Sequence, residues 1–433
     1  MRKKIIDVIV MASMLTCILG GCGNTRESGA TEQKGETSAV GTEATNAGED
    51  KQEEILFWHS YSEGEEKVFT EQVLAAFEKA HPEIKVNVVR MPYEGMDEQL
   101  VTAVSGDAAP DVMRMDITWV PQMAKLGALE KLDDYDGFDV IKSEALENAM
   151  ATNLYAGSYY GLPLNSNTTV AVFNKKLLQE YGLTEVPQTM EELLAAADKA
   201  DPEDEKWLFA IQGSFNWAML PFIWTLGGTL TDENFTMASG YLNSTETVAA
   251  LETICQWYQN GIIGPCIVGE APDTWGGMEG NNYGMIVEGP WYYSASDTAM
   301  ETTIPSLIPS VDGRSISIIG GENLVMTSTS KHKEAAWTFM QFLMQDEQQI
   351  QMAKAGMIPT TLSAMEKVDV SESPYVEVYM EQLKTANPRT PSAEWSTIED
   401  ILNRAFEEVL RGAKTAQSAL DDAATEIDQL LAQ

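Results

Sequence analysis

Ten tryptophans occur in the 433 residues, and several stand on predicted loops rather than on apolar faces. A ring placed in that way offers a flat surface to the C–H face of a ligand. Planar polar side chains beside it can take the ligand's hydroxyls. Trp291 follows Pro290 in "EGPWYY", where the proline ends the strand "GMIV" and the tryptophan opens a new element. Gln212, Asn216 and Trp217 lie in "QGSFNWAMLPFIWTLGG" ahead of a helix, with Trp224 deeper in that helix and expected in its core. Trp395 stands near the start of a tail helix in "PSAEWSTIED". Trp58 is expected in the core, while His59, Ser60 and Tyr61 follow the carboxyl end of its strand. Asp116 ends another strand in "MRMDITWV", with Trp119 opening the next helix. Such strand ends line the clefts of α/β folds, and Asp116 is expected to bind hydroxyls there. Gly320-Gly321-Glu322-Asn323 precede a further strand, and the glycines either admit a ligand close to the backbone or make a turn. These are binding groups. No GxSxG, HExxH or Walker loop accompanies them, and His59, His81 and His332 lack metal-site spacing. No cofactor or metal is expected.

The elements that must position these groups follow from periodicity. Ile55 to Trp58 reads as a short buried strand. Val68, Val73, Leu74 and Phe77 recur at helical spacing until "HPE", and "IKVNVV" is the next strand. This β-α-β unit implies parallel strands. Helix and strand alternate to about residue 345, and Thr189 with Glu192 forms a capping box before "ELLAAADKA". From Ala393 the chain reads as two helices, and no internal repeat is visible. The formal charge of −38 argues against nucleic acid and against anionic ligands, and suits a neutral or cationic one. The hydrophobic fraction of 44% is that of an ordinary globular chain.

The first fifty residues are of another kind. Arg2, Lys3 and Lys4 precede an apolar run from Ile5 to Leu19, interrupted by Asp7, Ser13 and Thr16. The run falls short of the roughly 20 residues a spanning helix needs, and reads as a secretory signal. Leu19-Gly20-Gly21-Cys22 resembles the lipobox of bacterial lipoproteins. That implies a signal peptide over 1–21, lipidation of Cys22, and a tether over 22–52. The tether is too polar to offset its ordering entropy. About 380 residues remain for two domains or lobes. Of the four cysteines, Cys255 and Cys266 belong to the folded part, where they either pair or stay as inert thiols.

Eight segments in order give the chain a family likeness: "FWHSYSEGE", "FEKAHPEIKV", "SGDAAPDVMRMDITWVPQMAKLGALEKLD", "YGLPLNSNTTVAVFNKKLL", "VPQTMEELLAAADK", "IWTLGG", "GMIVEGPW" and "GENLVMTSTSKHKEAAWTFMQFL". They resemble the extracellular solute-binding proteins of carbohydrate ABC transporters, the group that includes maltose-binding protein, over residues 54–430. The resemblance implies an α/β, two-lobed periplasmic-binding-protein-like fold with crossing hinge strands and a helical C-terminal tail. Lobe 1 would take 53–165 plus 312–362, and lobe 2 166–311 plus 363–433, with "PLNSNT" as the first crossing.

It implies a neutral oligosaccharide held in the interlobe cleft, maltodextrin-like first, with xylo-, arabino- or galacto-oligosaccharides next. Trp291 and Trp395 match stacking aromatics of the family, Trp217 matches an aromatic of its cleft, and Asp116 and Trp119 match its cleft loop loosely. Asn167 falls where the family often has an acid. It further implies no enzymatic activity, delivery to ABC permease subunits, a lipid anchor at the outer face of the bacterial cell membrane, and a monomer. A polyamine, iron or peptide receptor and a secreted glycosidase are the alternatives.

Overall fold

The computed structural model describes residues 52–432 apart from 297 and 372. The expected signal peptide, Cys22 and nearly all of the tether lie outside the described residues.

Two sheets organise the chain. The first has the order β2-β1-β3-β8-β4, from β1 (Glu53–His59), β2 (Ile84–Arg90), β3 (Val112–Asp116), β4 (Gly161–Asn167) and β8 (Gly320–Met326). Strand β1 runs parallel to β2 and β3, as the β-α-β reading requires. The crossover helical segment starts at a capping box between Ser62 and Glu65 and passes through a π-helical stretch, Phe69–Leu74. Strand β8 returns antiparallel between β3 and β4 and sets Glu322 opposite Asp116 and Leu324 opposite Arg114.

Alternation decides which side chains reach the cleft. On β3, Val112, Arg114 and Asp116 share one face; on β8, Gly320, Glu322, Leu324 and Met326 share one. The inner ends of these rows, Val112, Leu324 and Met326, pack with Ile55, Phe57 and Phe339 in the core. The outer ends, Arg114, Asp116 and Glu322, emerge in the cleft.

The second sheet has the order β6-β5-β7, from β5 (Val170–Asn174), β6 (Met285–Glu288) and β7 (Thr303–Ser306), all antiparallel to β5. The tail helices α2 (Trp395–Leu410) and α3 (Ala416–Leu431) close its core together with α1 (Asn216–Thr225), where Trp224 is buried. The Thr189 capping box is present, with Glu192 answering it.

The chain crosses between the lobes beside the end of β4. Thr168 and Thr169 lead straight into β5, and the Thr168 hydroxyl donates to Ile318 O at 2.8 Å. Ser166 and Ile358 exchange backbone hydrogen bonds at 2.9 and 3.2 Å. Cys255 and Cys266 are free and buried, and burial pushes both thiols up to about 11. Among the described residues no helix is long and apolar enough to cross a membrane.

Candidate functional site

A cleft of about 730 Å³ opens between the carboxyl end of the first sheet and the second lobe. Pockets of this size hold small-molecule ligands. Its first wall is charged. Glu322 and Asp116 stand opposite on adjacent strands, where like charges repel. Each is met by an arginine. Arg114 Nη2 lies 2.8 Å from Glu322 Oε2, its Nη1 donates to Ser60 Oγ at 3.1 Å, and its guanidinium sits 4.6 Å from the Tyr61 ring centre. Asn165 Nδ2 donates to Glu322 Oε2 at 2.7 Å. Burial pushes the Glu322 carboxyl up to about 7; Arg114 opposes this, and Glu65 and Asp116 reinforce it. Burial also works against charge on Asp116. There Arg389, Thr118 and Tyr93 prevail and hold the carboxyl below its usual range. Arg389 Nη2 lies 3.1 Å from Asp116 Oδ1, and the Tyr93 hydroxyl donates to Oδ2 at 2.9 Å.

The second wall is aromatic. Trp217, Trp275 and Trp291 line it with Phe215. The Trp217 and Trp291 ring centres are 6.2 Å apart, tilted by 34°. Gly320 makes room: a Cβ there would run into Asn167 Oδ1 and the Trp217 ring. The glycine therefore admits two side chains against the strand, and does not form a turn. Arg389 joins the walls, since its guanidinium lies 5.3 Å from the Trp217 ring while it pairs with Asp116. The Asn167 Oδ1, Arg114 Nε and Arg389 Nε atoms are buried without a hydrogen-bond partner. Among the described residues no cluster of His, Cys, Asp and Glu could hold a metal ion.

A family model described as bacterial extracellular solute-binding protein matches residues 72–378. The chain belongs to this family. It is 26% identical to the diacetylchitobiose binding protein DasA of Streptomyces coelicolor over 378 residues, covering 83% of this chain and 82% of that protein. It is 24% identical to the galactooligosaccharide-binding protein of Bacillus subtilis, covering 98% and 96%. The solved GacH receptor of Streptomyces glaucescens aligns at a TM-score of 0.77 with 25% identity, covering 88% of this chain and 99% of that one. The two-lobed architecture is common to these structures.

The solute-binding protein brings together Ser60, Asp116, Asn167, Trp217, Trp291 and Glu322, which all line the cleft. Six other candidates fall elsewhere. Trp395 is corrected to a core residue. It is 1% exposed because Trp395, Ile398, Leu402, Ala405 and Val409 form one apolar stripe of α2. Asn323 points away from the cleft because it alternates with Glu322, and it binds Thr152 and Asn153 instead. His59 is fully buried. Its Nδ1 accepts from the Tyr61 N–H at 3.1 Å, and burial, with help from Arg114 and Arg90, lowers it to about 3, so it stays neutral. Trp119 is buried behind Tyr93, ring centres 5.0 Å apart, and Tyr93 takes the cleft position. Asn216 is buried and donates to Glu399, which lines the cleft. Gln212 is exposed outside the cleft.

Sequence reasoning missed Arg114, Tyr93, Trp275, Arg389, Glu65 and Glu399 as cleft residues. Arg114 carried a signal: a charge inside "VMRMD" and two residues before Asp116 must share the face of Asp116. Arg389 sits in the aperiodic "NPRTP" and carried none.

Proposed function

We propose that this chain is the substrate-binding lipoprotein of an ABC importer, taking a neutral oligosaccharide between the two walls and delivering it to a membrane permease. The observation that carries the reading is the aromatic wall of Trp217, Trp275 and Trp291 facing a polar wall on which Asp116 and Glu322 each have an arginine partner. Rings accept the C–H faces of pyranoses, and several rings suit more than one sugar unit. Pairing with arginine weakens the pull of Asp116 and Glu322 on an ion. The relatives named above bind diacetylchitobiose and galactooligosaccharide, both neutral, which supports the class. Maltodextrin-like sugars lead, and xylo-, arabino- and galacto-oligosaccharides follow.

The same pairing disfavours the alternatives. Asp116 and Glu322 are each occupied by an arginine and further donors, so neither is free to serve a hydrolase or to capture a polyamine. The lobes divide near 53–165 plus 312–362 and 166–311 plus 363–433, and ligand closes them upon each other. Closure requires contacts that favour the closed state, and the cleft supplies them from both walls. The protein is monomeric and held at the outer face of the cell membrane through Cys22. A Cys22→Ser variant partitions into the soluble fraction with its binding intact; a variant that stays with the membrane contradicts the anchor. Calorimetric screening of that soluble variant against the four sugar classes, with a polyamine and a peptide as controls, tests the ligand class. Heat from a neutral oligosaccharide alone is the expected result.

A further inference from the structure

Glu288 ends β6 immediately before "GPW" and is 3% exposed. It does not line the cleft. Its two carboxylate oxygens accept from two of the three indoles that do. Trp275 Nε1 donates to Oε2 at 2.8 Å and Trp291 Nε1 to Oε1 at 2.8 Å, with the Gly289 N–H also on Oε1 at 3.0 Å. Trp275 rides on the helix Thr274–Gly280 and Trp291 opens a separate short helix, Trp291–Ser294. No other single side chain is bonded to both rings in the described residues. None of the described ion pairs gives Glu288 a cation.

A buried carboxylate facing no cation is costly, and burial raises its affinity for a proton. An apolar residue of similar size would serve packing better. What the carboxylate achieves, and neither an apolar residue nor an amide can, is to accept one indole N–H on each of two separate oxygens. A glutamine offers one acceptor oxygen and would turn its NH₂ toward the other indole donor. Charge-assisted bonds of this kind are short and strong, which suits a group that must fix ring orientation. Gly289 completes the support, because a Cβ there would run into the Trp291 ring.

We propose that Glu288 is the positioning residue of the aromatic wall: one buried carboxylate locks the Trp275 and Trp291 rings, carried on separate elements, into a single ligand-facing surface. The inference rests on the reading that this wall holds the ligand.

The test uses the soluble Cys22→Ser chain labelled with ¹⁵N at its indoles. Trp275→Phe and Trp291→Phe each delete one N–H signal and so assign the two. In the free protein these two signals lie downfield and are protected from solvent exchange. Glu288→Gln shifts both and speeds exchange of at least one, while the other indoles stay in place. In calorimetry with the best sugar of the screen, Glu288→Gln weakens binding about tenfold, near 1.4 kcal/mol. In the Trp275→Phe/Trp291→Phe background, where neither indole donor to Glu288 remains, the same substitution has no effect on affinity. Unmoved indole signals in Glu288→Gln, or an equal affinity loss in the double-phenylalanine background, would overturn the proposal. Should Glu288→Gln not fold, Trp275→Phe and Trp291→Phe retain the rings and remove the bonds. Each is then expected to lower affinity several-fold, and unchanged affinity in both overturns the proposal. Absence of sugar binding in the parent chain would instead overturn the functional reading, and the indole signals would still decide whether Glu288 locks the rings.

Discussion

On the first wall of the cleft, Glu322 and Asp116 face each other across β3 and β8, each fixed by an arginine and by neighbours on the same face. On the second, Trp217, Trp275 and Trp291 project from three separate helices, and two of them are held from behind by one carboxylate. The charged wall is part of the sheet's own register, so its groups cannot be removed without leaving a partner buried and uncompensated. The aromatic wall stands on short elements at the lobe's edge. Substitutions should therefore separate, with stability lost on the charged side and affinity lost on the aromatic side.

The largest effect is expected at Arg114. Arg114→Met leaves Glu322 buried without its cation and should cost about 3–5 kcal/mol in urea unfolding. Adding Glu322→Gln should recover much of that loss. A minor effect of Arg114→Met would mean that the charged wall is not structural. Next comes Arg389, which touches both walls. Arg389→Met removes the pair with Asp116, and small-angle scattering of the ligand-free protein should then show a larger radius as the lobes part. An unchanged radius would place no closing role on this pair. Trp217 stacks on Arg389 over part of its surface, so Trp217→Ala should cost about 1–2 kcal/mol of sugar binding with little change in unfolding midpoint.

The two carboxylates of the charged wall are separated by a pH dependence with two windows. The folded-state pKa of Glu322, about 7, stands above an unfolded value of about 4.3. Its contribution is thus fully present below about pH 4.3 and fades as pH rises toward 7. Asp116 has a lowered folded value, so its contribution is present above about pH 3.9 and is lost as pH falls further. Relative to Glu322→Gln, the parent chain should lose stability between about pH 4.3 and 7. Asp116→Asn should flatten the profile only below about pH 4. A single window shared by both variants would show that the two carboxylates titrate as one unit.

Much of the frame was legible, and the reasons are local. Parallel pairing of β1 and β2 followed from a β-α-β pattern, the helix start at Met190 from a capping box, and the place of Trp291 from the proline before it. Two errors were also locally correctable. The 395/398/402/405/409 stripe marks Trp395 as core, and strand alternation allows only one of Glu322 and Asn323 to face the cleft. The contact between Arg389 and Asp116 joins residues 273 positions apart, and no periodicity encodes it. Nothing local marks Trp275, because "DTWGG" has the composition of a solvated turn. Its meaning appears only when the Glu288 carboxylate is seen behind it.

The central claim is that the aromatic wall binds sugar and does not merely complete the fold. The direct measurement is Trp291→Ala on the soluble chain, titrated with the best oligosaccharide and unfolded in urea without it. Trp291 is half-buried at the cleft surface, so its loss should remove about 2–4 kcal/mol of binding, roughly 30- to 1000-fold in Kd, and cost folding no more than about 1–3 kcal/mol, that of its one bond to Glu288. Near-normal affinity together with about 3–5 kcal/mol lost from folding, the behaviour of a core tryptophan, would contradict it.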